Sequence, residues 1–234
     1  MKKVLVLRSS GHEVPGVDTI VTHEIVPVPQ GIEEVKAFDA SKAWLFITSQ
    51  TTIEVLVEAG AAEVFKRKWG LRVVAGAETG KALKDAGAPG CMVPPVPGAG
   101  GIASTLATIP VRDKRILWPR GSDADPGGFA QLVKRGAQFT APVVYEKKRR
   151  SPLDASLLAG FKDGAYGAVA VGSLAALDAV RVALGKPDPK SLPEMTWGVL
   201  GPGTAEALVE NGFPQPIVPE GASLETLVAL LKES

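Results

Sequence analysis

Four hydroxyl side chains follow strand-like apolar runs at points where the sequence predicts the start of a helix. They are Ser49, Thr79, Ser173 and Thr204. The free backbone N–H groups and the dipole of a helix N-terminus attract carboxylate or phosphate groups. Simple helix capping is the alternative for each residue alone, because Ser and Thr are preferred at that position. Four such residues in paired positions favour a binding site for an anionic ligand.

Three further side chains could take part in the chemistry. Arg8 and Arg120 end two matched strand-like segments, where a guanidinium group can bind a carboxylate. A salt bridge within the protein is an equally good interpretation of either arginine. Tyr145 ends an extended segment, and a phenol there can donate a proton to a departing group. An aromatic side chain that covers a hinge is the alternative for this tyrosine.

A repeat in the sequence pairs these residues. Residues 76–87 and residues 201–212 both read G-x-x-T-x-x-A-L-x-x-x-G, and each follows an apolar run. The separation from Ser49 to Thr79 is 30 residues, and that from Ser173 to Thr204 is 31. Such a repeat predicts two similar halves and favours a ligand cleft. Ligands bind outside the carboxyl ends of strands in open α/β sheets, so the hydroxyl groups are expected near the ligand.

The composition excludes several classes of function. The chain has 234 residues, 45% hydrophobic and 22% charged, and its formal net charge of +1 gives no basic field for nucleic acid. Two histidines and the single Cys91 leave almost nothing for a Cys/His metal site, an internal disulfide or Ser-His-Asp hydrolysis. There is no P-loop, and the glycine-rich residues 96–101 are interpreted as a loop rather than a dinucleotide fingerprint.

Two charged segments have two interpretations each. Residues 147–150 read Lys-Lys-Arg-Arg, which is either a solvated turn or a cluster that steers an anionic ligand. Asp123 and Asp125 are either a carboxylate pair or part of a loop ahead of a helix. The charged segments therefore do not identify a site by themselves.

The sequence also indicates where in the cell the protein is expected. No apolar stretch reaches the roughly 20 residues that a membrane span needs, and no apolar signal region follows the first residues. The lone cysteine fits a reducing compartment. We therefore expect a cytoplasmic protein with no membrane and no nucleic-acid partner.

Strand-like and helix-like segments alternate along the whole chain. This alternation predicts an α/β fold whose parallel sheets are covered by helices on both faces. One long helix is expected over residues 52–67, and two others are expected to open at Thr79 and Thr204. Residues 25–29 and 139–145 are extended but contain proline, which is typical of edge strands or linkers.

Together these stretches resemble the uroporphyrinogen-III synthase family. The resemblance covers essentially the whole chain in the family's order. Its most specific part is residues 198–208, close to the family's G-P-x-T-A-x-A-L signature. The other matching stretches are residues 4–8 (VLVLR), 46–49 (FITS), 116–121 (ILWPRG) and 143–145 (VVY).

The resemblance implies two lobes, each a parallel sheet flanked by helices, joined by a two-stranded β connector. Lobe one would combine residues 1–24 with residues 147–234, and lobe two would be residues 30–141. Residues 25–29 and 142–146 would form the connector strands.

The resemblance also implies an activity. The family cyclises hydroxymethylbilane, a linear tetrapyrrole that carries eight carboxylates, with loss of water and inversion of the last pyrrole ring. Neither a cofactor nor a metal is implied, and we expect a monomer. The family's tyrosine, proposed to assist departure of the hydroxyl group, corresponds to Tyr145. The implied substrate-binding residues are Arg8, Ser49, Gln50, Thr79, Arg120, Ser173, Gly203 and Thr204.

Two other functions remain open at this stage. A non-catalytic, two-lobed protein that binds or senses a small molecule would share the same plan. A nucleotide-dependent oxidoreductase is disfavoured by the poor glycine fingerprint.

Overall fold

The computed structural model describes residues 2–11, 14–220 and 223–234, and the chain divides into two compact units. Unit 1 consists of the residues up to Glu24 together with Lys148–Ser234, and unit 2 is Ile25–Lys147. The chain passes from one unit to the other within a strand on both occasions.

Unit 1 is built on a four-stranded sheet in which every pair of neighbours is parallel, with the order β11-β10-β1-β2. Its central strands are almost entirely apolar and buried, as a parallel sheet covered on both faces requires. The strands are β1 (Val4–Arg8), β2 (Asp18–Val21), β10 (Ala168–Val171) and β11 (Thr196–Val199).

Four helices cover this sheet, and alternate residues of the central strands face different helices. Leu5 and Leu7 pack in the cluster that contains α7, α8 and α9 residues, whereas Val4 and Val6 pack with α10. This period of two is what strand geometry dictates. The helices are α7 (Ala155–Lys162), α8 (Leu174–Ala183), α9 (Pro202–Glu210) and α10 (Leu224–Glu233), and a 3-10 turn covers Pro189–Ser191.

Unit 2 is built on a second parallel four-stranded sheet, with the order β5-β4-β6-β8. Leu45 and Ile47 face one core cluster, and Trp44 and Phe46 face the other. The strands are β4 (Trp44–Ile47), β5 (Leu71–Val74), β6 (Arg115–Leu117) and β8 (Gln138–Thr140). The helices are α1 (Pro29–Ala37), α2 (Gln50–Glu58), α3 (Glu63–Lys66), α4 (Ala77–Asp85), α5 (Ala99–Thr105) and α6 (Ala130–Lys134), with a 3-10 turn at Pro126–Phe129.

A third, smaller sheet has the order β3-β9-β7. It contains β3 (His23–Pro27) and β9 (Val143–Arg149), the two strands in which the chain changes unit. The resemblance implies a connector of two strands, and β7 (Arg120–Gly121) adds a third strand to this sheet by pairing with β9. The α/β class, with helices flanking each parallel sheet, is confirmed.

The repeat seen in the sequence is a structural repeat. The two copies form β5 with α4 and β11 with α9, and both strands lie at the edge of their sheet. Each edge strand also makes one further parallel bridge, from Val73 to Met92 in unit 2 and from Gly198 to Ile217 in unit 1. The two copies therefore give the units the same strand layout at this edge.

Two segments differ from the sequence-based prediction. The helix expected over residues 52–67 is broken, because Gly60 adopts a left-handed φ of 68° and α3 begins only at Glu63. The glycine-rich residues 96–101 are not entirely a loop. Gly98, with a φ of 93°, precedes α5, and Gly101 lies in its first turn.

A buried tyrosine ties the edge strand β2 to the start of β10. The Tyr166 hydroxyl donates to Asp18 Oδ2 at 2.8 Å, and Lys3 Nζ lies 3.0 Å from the same oxygen. The hydrogen bond from Lys3 and then that from Tyr166 lower the pKa of Asp18. Burial, reinforced by the hydrogen bond to Asp18, raises the pKa of Tyr166.

We predict that Tyr166→Phe lowers the free energy of unfolding by about 1.5 kcal/mol near neutral pH, because Asp18 loses a donor. A tyrosine pKa that folding raises stabilises the folded state below its unfolded value of about 10, and this contribution is lost as the pH rises further. The difference between wild type and variant in urea unfolding should therefore be constant between about pH 5 and pH 9 and shrink above pH 10. A difference that stays constant up to about pH 11 would contradict this assignment.

Neighbouring glycines in α5 provide a matched test of packing. A Cβ at Gly101 would lie 1.7 Å from the carbonyl oxygen of Val96, whereas a Cβ at Gly100 has no neighbour within 4 Å. We predict that Gly101→Ala lowers the free energy of unfolding by about 1–3 kcal/mol. Gly100→Ala should raise it by about 0.5 kcal/mol, because alanine restricts the unfolded chain. Equal effects of the two substitutions in urea unfolding would show that this packing is wrong.

Candidate functional site

The predicted site residues fall into two groups, one in each unit. All strands of each main sheet are parallel, so the segments that follow them lie at one edge of that sheet. Each group therefore occupies the carboxyl edge of its own sheet or the segments that lead on from it. The group in unit 1 is Arg8, Ser173, Gly203 and Thr204, and the group in unit 2 is Ser49, Gln50, Thr79, Arg120 and Tyr145.

The two serines hold the same position but make different bonds. Both precede the first residue of a helix and have an extended backbone. The Ser173 hydroxyl accepts a hydrogen bond from Ala176 N at 3.2 Å and so caps α8. The Ser49 hydroxyl caps nothing, so the first N–H groups of α2 have no side-chain acceptor there. Gln50, the first residue of α2, is exposed.

The two threonines lie inside their helices rather than at the start. The sequence predicts that Thr79 and Thr204 open α4 and α9, but each helix begins two residues earlier, and glycines 76 and 201 occupy the capping positions. Glycine has no side chain that can accept from the first turn, so these N–H groups also have no side-chain cap. Thr79 is buried, Thr204 is half-buried and Gly203 is exposed.

Arg120 is held by its own turn. Its Nη1 donates to the carbonyl oxygens of Gly121, at 3.1 Å, and of Ala124, at 3.3 Å. The guanidinium carbon lies 5.7 Å from the centroid of the Trp118 ring. Its Nε is buried and has no hydrogen-bond partner. The arginine is thus fixed in place while one N–H still lacks an acceptor.

Arg8 ends β1 beside two short loops. Its carbonyl oxygen accepts from the backbone N–H of Thr22 at 2.9 Å and from the Thr22 hydroxyl at 3.1 Å. The Arg8 side chain approaches two glycines. Its Nη2 would lie 2.8 Å from a Cβ added to Gly11, and its Cγ would lie 3.7 Å from a Cβ added to Gly172. The side chain therefore lies close to the segments that follow β1 and β10.

Tyr145 is only 3% exposed and lies on β9. Its hydroxyl is 3.4 Å from the Ser49 hydroxyl oxygen, a distance at the long end for an O–H donor. This contact joins the proposed proton donor to the uncapped start of α2. Both interpretations of Tyr145, proton donor or aromatic cover, remain predictions.

Sequence reasoning missed several groups around Tyr145. The Trp118 indole donates to the Thr48 hydroxyl at 3.0 Å, next to Ser49. The Thr52 hydroxyl, in the first turn of α2, is buried without a hydrogen-bond partner. Gly121 lies opposite Tyr145 in the small sheet. The signal in the sequence was that Trp118 and Gly121 both lie in the matched stretch of residues 116–121.

The charged segments form ion pairs and a cap. Asp123 pairs with Lys147 at 2.7 Å, so the basic run contributes to this turn. Arg149 of the same run pairs with Asp178 in unit 1 at 2.9 Å. The side chain of Asp125 caps the 3-10 turn that follows it. The two aspartates therefore do not act as one carboxylate pair.

The described residues contain neither a cluster of metal ligands nor a helix that could cross a membrane. Within residues 2–11, 14–220 and 223–234, no group of three or more His, Cys, Asp and Glu side chains could hold a metal ion. No helix in the part of the chain that the structure describes is long and apolar enough to cross a membrane. Cys91 is half-buried, and its burial raises the pKa of the thiol.

A cavity of about 480 Å³ lies along α9, and its lining includes Pro202 at the start of that helix. Ala205, Val209 and Val218 line it together with the carboxylates of Glu206 and Glu210. Neither Gly203 nor Thr204 is among its lining residues. Two carboxylates in its wall make it a poor site for an anionic ligand.

The fold defines an α/β protein whose helices begin at the carboxyl edges of two parallel sheets, and the comparisons agree with this fold class. A family model described as uroporphyrinogen-III synthase HemD matches residues 3–229. The structure of the uroporphyrinogen-III synthetase from Helicobacter pylori is similar, with 19% identity, coverage of 100% of this chain and 99% of that chain, and a TM-score of 0.65.

Structures of uroporphyrinogen III synthase from the extremely thermophilic bacterium Thermus thermophilus are also similar. A mutant form has 18% identity, 98% coverage of both chains and a TM-score of 0.61. The wild type has 19% identity, covers 98% of this chain and 96% of that chain, and has a TM-score of 0.51. At these identities the likeness shows a shared fold. Among curated proteins, none matches the chain.

The chain belongs to the uroporphyrinogen-III synthase family, because the family model matches nearly its whole length. It is therefore a member of a family of cyclising lyases in haem biosynthesis. Nothing in the comparisons supports the alternative of a non-catalytic binding or sensor protein.

The two capping positions give a matched prediction. Ser173→Ala should lower the free energy of unfolding by about 1 kcal/mol, because α8 loses its cap. Ser49→Ala should change it by less than about 0.5 kcal/mol, because its hydroxyl caps no helix. Urea unfolding of the two variants measures both values. A larger loss for Ser49→Ala than for Ser173→Ala would contradict the assigned bonds.

Proposed function

We propose that this protein converts hydroxymethylbilane to uroporphyrinogen III, with loss of water and inversion of the terminal pyrrole ring. The observation that carries the proposal is the position of the Tyr145 hydroxyl, 3.4 Å from Ser49 at the uncapped start of α2. Family membership supplies the reaction, and this contact supplies a proton donor beside an anion-binding helix end.

The chemical demand on the protein is small. The C–O bond to the hydroxyl group of the bilane breaks, the leaving group takes up a proton and departs as water, and a cationic azafulvene remains. The carbon of the terminal pyrrole that already carries a methylene bridge attacks this cation and forms a spiro intermediate. The older bridge bond to that carbon then breaks and leaves a second azafulvene cation on the neighbouring ring. The free α carbon of the terminal pyrrole attacks this second cation and loses its proton, which restores the aromatic ring with the terminal pyrrole inverted. Pyrroles expel hydroxide readily, so the protein mainly has to fold the bilane and keep water from the cation.

In this proposal Tyr145 donates the proton to the departing hydroxyl group. The residue is buried, so its phenol lies where bulk water has little access. The Ser49 hydroxyl keeps the phenol oriented, and its long contact leaves the phenol O–H available to a substrate oxygen. The contribution is modest, because the leaving group departs easily even without help.

The carboxylates of the substrate bind to the groups at the two sheet edges. The first turns of α2, α4 and α9 have N–H groups without a side-chain cap, and each attracts a carboxylate through these groups and the helix dipole. The Ser173 hydroxyl still has its own O–H to donate while it caps α8. Arg120 in β7 and Arg8 at the end of β1 supply positive charge.

The proposal includes a cytoplasmic monomer that uses no cofactor. A single cysteine and the absence of a membrane helix within the described residues fit that location. We further propose the lobe limits given by the resemblance, with residues 1–24 and 147–234 in one lobe, residues 30–141 in the other, and connector strands at residues 25–29 and 142–146. These limits differ by a few residues from the two compact units.

The experiment that tests the proposal is a coupled cyclisation assay. Hydroxymethylbilane is generated in situ from porphobilinogen, with and without this protein, and the oxidised type I and type III isomers are separated by chromatography. We expect mostly type III product with the protein and mostly type I without it. Unchanged isomer ratios with folded protein at high concentration would reject the proposal in favour of a binding protein.

For Tyr145→Phe we predict a kcat lowered by about 10- to 100-fold with little change in KM, because proton donation is lost while carboxylate binding remains. Steady-state kinetics of the same assay measure both values. Thermal unfolding serves as the control, since the ring and its packing are kept. An unchanged kcat would reduce Tyr145 to an aromatic packing residue.

A further inference from the structure

Gly121 lies directly against the ring of Tyr145. The two residues are register partners in the small sheet. A Cβ on Gly121 would lie 2.6 Å from Tyr145 Cζ and 2.7 Å from Tyr145 Cε2. The backbone of Gly121 is not left-handed, so alanine is allowed there by conformation. The need for glycine at this position is therefore entirely a matter of space beside the tyrosine ring.

The turn that carries Gly121 is tied down on several sides. The Gly121 carbonyl oxygen accepts from Arg120 Nη1 at 3.1 Å and from Ala124 N at 3.2 Å. The backbone N–H of Ser122 donates to the Tyr145 carbonyl oxygen at 3.0 Å. The turn therefore cannot easily retreat from the ring.

The space beside Gly121 is bounded on one side by the Tyr145 ring and on another by an ion pair. Asp123 Oδ1 would also lie 2.7 Å from a Cβ on Gly121, and Asp123 Oδ2 lies 2.7 Å from Lys147 Nζ. Lys147 is two residues after Tyr145 on the same strand. The lysine thus holds the aspartate beside Gly121, and a side chain at residue 121 would meet both the aspartate and the ring.

The contact falls on the part of the ring that carries the hydroxyl group. Cζ is the atom bonded to the phenol oxygen, so a group that pushes Cζ also moves the hydroxyl away from its place 3.4 Å from Ser49. Ordinary van der Waals separation would need a displacement on the order of 1 Å. A displacement of that size in a reacting group can cost about 100-fold in rate.

We propose that Gly121 is a positioning residue for Tyr145: the empty space at residue 121, bounded by the Asp123–Lys147 ion pair, places the tyrosine hydroxyl for its reaction. This inference rests on the proposed function, in which Tyr145 donates the proton. In this inference Gly121 and Asp123 affect the reaction through the position of Tyr145, and neither residue contacts the substrate.

The test is a double-mutant cycle in the cyclisation assay. We expect Gly121→Ala to lower kcat at least about 10-fold and to change KM less than about 3-fold. In the Tyr145→Phe background the same substitution should lower kcat less than about 2-fold, because no hydroxyl group remains to be misplaced. The matched control is Gly100→Ala, in the same unit, because a Cβ added to Gly100 would have no neighbour within 4 Å. This substitution should leave kcat unchanged.

Four outcomes would overturn the inference. Wild-type kcat in Gly121→Ala would show that the hydroxyl does not depend on this space. An equal loss of kcat in both backgrounds would show a general structural role, and so would an effect confined to KM. Absence of type III product from the wild type would reject the proposed function and the inference together, whereas the first three outcomes leave the proposed function standing.

A second variant covers the case in which Gly121→Ala does not fold, as judged by circular dichroism and thermal unfolding. Asp123→Ala removes the ion pair beside Gly121 and replaces an exposed side chain, so it threatens the core less. We expect it to lower kcat about 3-fold or more in the wild-type background and to have no effect in the Tyr145→Phe background. The same loss in both backgrounds would overturn the role of Asp123 and with it the inference.

Discussion

The direction of the strands is the constraint on which the rest of this structure depends. Every neighbouring pair in both main sheets is parallel, so all strands of a sheet end at the same edge. Helices that follow those strands must begin there, and their positive ends collect at that edge. A protein of this design offers anion-binding groups wherever a strand meets a helix, before any particular side chain is chosen.

The residues at these helix starts differ in whether they cap the helix. Ser173 completes its helix, while glycines 76 and 201 leave theirs open, and Ser49 contacts Tyr145 instead of capping. Open helix ends cost some stability, because uncapped N–H groups need water or a ligand as acceptor. In the proposed function a substrate with many carboxylates provides those acceptors, so the cost in stability and the capacity to bind arise from the same groups.

The class of fold, the repeat and the sheet edge at which the predicted residues lie could all be predicted from the sequence. They follow from apolar periodicity and from the matched spacings of Ser49 to Thr79 and of Ser173 to Thr204. The sequence could not distinguish the bonds of Ser49 from those of Ser173, since both positions look alike in sequence. The contact between Tyr145 and Gly121 could not be predicted either, because it depends on the pairing of β7 with β9. Such non-local pairing leaves no periodic signal in either segment.

The central claim, that the open helix starts bind the substrate's carboxylates, can be tested by amide NMR. Uroporphyrinogen III, or a stable linear tetrapyrrole carboxylate, is titrated into uniformly ¹⁵N-labelled protein. The account predicts that the largest shifts fall on the first-turn amides of residues 50–52, 77–79 and 203–204. Shifts concentrated along residues 205–218, at the cavity beside α9, with unchanged amides at the helix starts would contradict it.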